Sequence, residues 1–200
     1  MKKLIPWLWL SFLTACTTDS SKDYDGAVFY QMGMQAEQSG DLQSARNYYG
    51  KAQSNARSGR LGPAKEAHAA YAWSRISGYL GFYAEAEKGF ETTLALIEKS
   101  EGDANALRAP ALFELARMHH DTENHAKAVP AYARAFAELQ RLGVGKIEPL
   151  AYAGFLDDYA DSLRATGATA PADEMTARSA AIKERAPANA PRIAIRRYKG

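Results

Sequence analysis

The sequence predicts an all-α protein built from about four helix-turn-helix pairs, and three observations carry that prediction. A small residue followed four positions later by an aromatic recurs along the chain, as Ala45 with Tyr49, Ala86 with Phe90 and Ala128 with Tyr132. A further alanine, Ala172, keeps the register although Thr176 stands where the aromatic belongs, so these alanines lie 41, 42 and 44 residues apart. Gly40, Gly81 and Gly167 each precede one of them by five residues, and no clear run alternates polar and apolar side chains as a half-buried strand would.

The elements begin with a segment that is not part of the repeat. Met1, Lys2 and Lys3 give a positive start, Leu4 to Leu13 (LIPWLWLSFL) are mostly apolar, and small residues then lead to Cys16, the sole cysteine. This is the layout of a secretory signal peptide over residues 1–15, and it is too short to span a bilayer. Leu13-Thr14-Ala15-Cys16 resembles the lipobox of bacterial lipoproteins. The resemblance implies cleavage before Cys16 and diacylation of its sulfur, against the plainer reading of an ordinary signal peptide with a chance cysteine. Thr17 after the cysteine implies, in lipoproteins of the enteric type, sorting to the outer membrane.

Removal of Lys2 and Lys3 with the signal reduces 25 basic residues to 23, equal to the 23 acidic ones, so the charge balance does not point to nucleic acid. Without a second cysteine the mature chain has no disulfide, and about 185 residues bury a sizeable core without one. Residues 16–25 continue as a polar tether, TTDSSKDYD after the cysteine.

Helix pairs are then expected over residues 26–186, near 26–59, 67–100, 109–142 and 153–186. Asp41 suits the N-cap of the second helix, Gly59 its end, and Pro63 the first turn of the next. Asp103 is a candidate cap for the third pair, Gly143 and Gly145 close that pair, and Pro149 and Pro171 open the two helices of the last. Pro130 is the exception, because it falls inside an expected helix and removes a backbone donor.

This pattern resembles the tetratricopeptide repeat, in which small residues mark where two helices touch and an aromatic one turn later fills the gap to the next pair. The first copy matches best, with Phe29, Met32 and Gly33 on one helix, Gly40 in the turn, and Ala45, Tyr49 and Ala52 on the other. In the second, Trp73 and Ser74 replace the usual leucine and glycine, and in the third Leu112, Leu115 and Ala116 supply the face. The spacing of about 42 residues and the proline in AVPAY resemble the kinesin-light-chain type of the repeat. The resemblance implies a right-handed superhelical solenoid that binds a peptide or a partner's helix on its concave side.

Carried over position by position, the resemblance assigns groove residues on the first helix of each pair. They are Tyr30 and Met34; Tyr71, Arg75 and Tyr79; Phe113, Arg117 and His120; and Asp157, Asp161 and Arg164. The lysine and asparagine clamp of chaperone-binding relatives is not visible.

Other chemistry is weakly supported. His119, His120, Asp121, Glu123 and His125 are zinc-binding types, but adjacent helical residues point about 100° apart, and Asp121 to His125 reads as a turn. Asp157, Asp158 and Asp161 read as surface charge beside Arg164 rather than an acid and base pair. No serine elbow or phosphate-cradling loop is present, and the reading is of a non-enzyme without metal or cofactor. After Pro187 the chain leaves the helical pattern, and residues 187–200, a basic tail with Arg192, Arg196, Arg197 and Lys199, are expected to fray rather than to dock.

The function expected is an outer-membrane-anchored periplasmic lipoprotein that binds protein as a scaffold or adaptor for an envelope assembly such as a pilus, secretion or cell-wall machine. The alternatives are a metal-dependent cell-wall factor using the histidines and a purely structural envelope lipoprotein. The partner and the oligomeric state are not specified by these residues.

Overall fold

A computed structural model describes residues 20–59, 61–100, 102–187 and 196–198. The expected signal segment and Cys16 lie outside the described residues. Among the described residues the chain forms only helices: α1 (Ser20–Gln38), α2 (Leu42–Ser58), α3 (Pro63–Tyr79), α4 (Tyr83–Glu98), α5 (Arg108–Asp121), α6 (His125–Leu142), the single turn α7 (Val144–Ile147), α8 (Pro149–Ala165) and α9 (Thr169–Arg185). They pair as α1/α2, α3/α4, α5/α6 and α8/α9, and successive first helices α3, α5 and α8 also touch. Helix α1 starts at Ser20, inside the stretch expected to be tether. Adding residues to a helix already nucleated costs little, which favours this extension.

The repeat residues sit where close packing needs them. Ala45, Ala86, Ala128 and Ala172 are all fully buried, so a larger side chain at any of them meets a neighbouring helix. Tyr49, Phe90 and Tyr132 are buried with them, whereas Thr176 is exposed and accepts a hydrogen bond from Arg164. The serine in place of the usual glycine in the second pair has a compensating glycine opposite it. A Cβ on Gly89 would come within 2.0 Å of Ser74 Oγ, which donates to the Ala70 carbonyl at 2.6 Å. The small residue has exchanged helices, and α3 and α4 keep their approach.

The turns repeat as closely as the alanines. Gly40, Gly81 and Gly167 have φ of 83°, 85° and 83°, and their N–H groups and those of the next residues close on the last turn of the preceding helix. In the third pair Glu123 occupies this place at φ 58°, five residues before Ala128, with the same two bonds to His120 and His119 carbonyls. A side chain in the left-handed region costs about 1–2 kcal/mol. Glu123→Gly is therefore expected to raise the unfolding free energy by about 1 kcal/mol, measured by denaturant melts.

Helix ends follow the sequence in part: α9 starts at Thr169, two residues before Pro171, and Gly145 lies inside α7 rather than closing the third pair. Asp41 accepts from the Ser44 N–H at 3.0 Å, and Pro63 and Pro149 each open their helices. Asp103, expected to cap the third pair, opens a five-residue 3₁₀ segment, and α5 begins only at Arg108. Pro130 lies inside α6, which continues through it. Ala126, whose carbonyl loses its donor there, is exposed.

Ion pairs bridge successive second helices on the outer side. Arg46 of α2 pairs with Glu85 at the start of α4, and Lys127 and Arg134 of α6 pair with Glu87 and Glu91 of α4 at 2.8 and 2.9 Å. Apart from the partly buried Arg46 and Glu87, these side chains are about half exposed, and each pair contributes little.

Candidate functional site

The first helices carry a continuous polar and aromatic stripe. It begins at Glu37 of α1, whose carboxylate accepts two bonds from Arg75 of α3 at 2.6 and 2.8 Å and one from Tyr49 at 3.0 Å. The Arg75 guanidinium lies between the rings of Tyr71 and Tyr79, 5.9 and 5.8 Å from their centroids. Tyr79 accepts from Arg117 of α5 at 3.1 Å, and Arg117 donates to Glu114 at 2.5 Å while its guanidinium covers Phe113 at 5.1 Å. Arg75, Tyr71, Tyr79, Phe113 and Arg117 are thus brought together on the neighbouring first helices α3 and α5. Tyr30 packs its ring 5.3 Å from Tyr49, and Met34 is exposed.

The fourth pair departs from the expected register. Asp157 pairs with Lys183 of α9 at 2.5 Å, and Arg164 reaches Asp161, Asp173 and Thr176, so these three residues serve the α8/α9 pair. The α8 carboxylate that joins the groove is Asp158, one residue and about 100° further round the helix. Glu37, Glu114, Asp121 and Asp158 are the groove carboxylates that sequence reasoning missed. A signal for two of them was available, since Glu114, Arg117 and Asp121 follow i, i+3, i+7 spacing on one face.

The tail corrects the expectation of fraying. Residues 196–198 lie in this groove, and Tyr198 is only 2% exposed. Its phenol donates to Glu114 at 2.5 Å, its N–H to Asp121 at 2.8 Å, and its carbonyl accepts from Tyr83 at 2.8 Å. Its ring packs 4.8 Å from Tyr79, over Gly78, where a Cβ would come within 2.4 Å of it. Burial, with Glu114 alongside, holds the phenol well above its ordinary pKa and keeps it a donor. Arg197 bridges Asp121 at 2.6 Å and Asp158 at 2.8 Å, and Arg196 lies 5.4 Å from the Tyr79 ring centroid. Arg117, assigned to the groove lining, is 2% exposed with Tyr198 packed against it.

His120 and His125 meet edge to face with ring centroids 5.6 Å apart, and His125 Nδ1 lies 3.4 Å from Ser162 Oγ, whereas His119 faces α4. His119 is buried 3.7 Å from Glu87, and burial pushes its pKa below the usual value against the opposing pull of that carboxylate. His120 touches Ser162 at 3.0 Å through Nδ1 and Asp158 at 3.6 Å through Nε2. The residue types are those of a serine hydrolase, but Ser162 is fully buried in α8, where no substrate reaches its hydroxyl. Among the described residues no group of three or more histidine, cysteine or acidic side chains has metal-binding geometry.

Beside Glu114 the groove stays open. A pocket of about 470 Å³ is lined by Tyr71, Phe113, Leu139, Leu142, Tyr152 and Phe155 among others, and Leu142 is 44% exposed at its edge.

The family model of the tetratricopeptide repeat matches residues 66–137, which run from α3 into α6. The segment from α3 into α6 therefore matches the tetratricopeptide repeat. The fold of BtubC (BKLC) from P. vanneervenii superposes with a TM-score of 0.72 at 18% identity, covering 87% of this chain and 70% of that one. MamA superposes with a TM-score of 0.60 at 15% identity, covering 83% of this chain and 82% of the other. No curated protein matches the sequence. Together these show an all-α tetratricopeptide solenoid, an architecture that generally serves as a non-catalytic scaffold for protein–protein interaction.

Proposed function

We propose that this tetratricopeptide-repeat chain is an outer-membrane-anchored periplasmic lipoprotein whose concave groove binds a protein partner, as a scaffold or adaptor for an envelope assembly. The observation that carries the binding reading is the stripe from Glu37 to Asp158, where buried charges border an open apolar pocket between α5 and α8. Apolar side chains of a partner fill such a pocket while the charges fix its register. The anchor rests on the lipobox-like Leu13 to Cys16 and on Thr17 after it. A lipid at Cys16 holds the groove beside pilus, secretion or cell-wall machinery.

The test is a photocrosslinking residue at Tyr71 or Phe113 in intact cells. It is expected to capture one specific envelope protein, and Cys16→Ser is expected to abolish fatty-acid labelling and release the chain from the membrane fraction. A lipid-labelled, membrane-bound serine variant overturns the anchor. An intact phenotype with no capture and with groove substitutions overturns the scaffold.

A further inference from the structure

The way Tyr198 is held differs from ordinary packing of a chain end. Its backbone is caught on both sides, by Asp121 at the N–H and by Tyr83 at the carbonyl, while the side chain enters a seat that exists because residue 78 has no Cβ. The phenol ends on a buried carboxylate, Glu114, and the preceding guanidinium ends on two more, Asp121 and Asp158. Simultaneous reading of main chain, an aromatic hydroxyl and a flanking cation is how a groove recognises an extended peptide. Around this seat stand three carboxylates against one guanidinium, Arg117, with His120 3.6 Å from Asp158. That balance fits a basic segment and repels an acidic one.

We propose that this seat recognises an arginine–tyrosine pair in an extended segment of the protein partner, and that the chain's own Arg197–Tyr198 occupies it as an intramolecular competitor. The inference rests on the protein-binding reading of the groove. Ten residues separate α9 from Arg196, so the tail competes at an effective concentration on the order of millimolar. A partner segment enters by displacing Tyr198.

The experiment measures binding of a fluorescein-labelled peptide, Ile-Ala-Ile-Arg-Arg-Tyr-Lys-Gly, to the full chain by fluorescence anisotropy. The R197A/Y198A variant is expected to bind it at least ten-fold more tightly than the unaltered chain does, and a peptide with alanine for tyrosine is expected not to bind. Adding Gly78→Ala to that variant fills the tyrosine seat while favouring the helix, so binding should vanish with helical circular dichroism unchanged. Glu114→Gln in the same background keeps the shape of the seat and should weaken binding at least ten-fold.

Equal affinity of the unaltered chain and the double variant, or binding indifferent to Gly78→Ala, overturns the proposal. A partner crosslinked from Phe113 while the peptide binds neither protein overturns this inference alone and leaves the scaffold reading standing. A concentration-dependent dimer of the unaltered chain that the double variant lacks assigns the seat to a second copy's tail, and overturns recognition of a different partner.

Discussion

Phe90→Ala is expected to lower the unfolding free energy by about 3–5 kcal/mol, a loss comparable to the whole stability of a marginal domain. Phe90 is fully buried on α4, within the cluster that also contains Leu94, Ile97, Leu112 and Leu115, and its ring lies 6.3 Å from that of Tyr71. It therefore fills the space between the second helix pair and the third. In a stack where each unit touches mainly its neighbours, the interface between units contributes as much as the units themselves. Chemical denaturation should show the midpoint falling, and a reduced slope would indicate that the two halves now unfold separately. A loss below about 1 kcal/mol would contradict the packing between α4 and α5.

Glu114→Leu is expected to cost about 3–5 kcal/mol, because it leaves a buried guanidinium without its carboxylate. Arg117 is 2% exposed and donates to Glu114, and Tyr198 donates to the same oxygen. Removing the carboxylate thus strands two donors at once. Replacing both partners, in E114L/R117L, should recover the part of the loss that belongs to the stranded guanidinium and leave the smaller part that belongs to the Tyr198 phenol. Denaturant midpoints of the single and double variants form the comparison. If the single variant loses less than about 1 kcal/mol, Arg117 is reaching water and Tyr198 is not seated over it.

The scaffold was largely legible in the sequence and the finished groove was not. Alanines at 45, 86, 128 and 172 announced the helix contacts because close approach admits few residue types, and every one of them is fully buried. Glycine marked three turns for an equally narrow reason, a positive φ, and the turn read between Asp121 and His125 without a glycine adopts the same conformation at Glu123. The exchange of the small residue between Ser74 and Gly89 hid behind the same logic, since packing fixes the sum of two side chains rather than either one.

The groove depended on contacts between distant residues. Tyr198 lies 84 positions from Glu114 and 77 from Asp121, and a short tail of mixed arginine and isoleucine has no periodicity that foretells a docking partner. The fourth pair was misread by one residue, Asp157 for Asp158, where the missing aromatic removed the landmark that fixes the register.

Seating of Tyr198 also changes what kind of object the solenoid is. A stack of helix pairs is a line, in which one end can loosen without the other responding. Residues 196–198 follow α9 in sequence, yet they bind α3 and α5, so this end is tied back to the second and third pairs. The line becomes a loop, and a contact of high sequence separation enters a fold otherwise built from local ones. Melting of α8 and α9 is then coupled to events at α3, and release of the tail converts a cooperative body into a spring whose ends move independently.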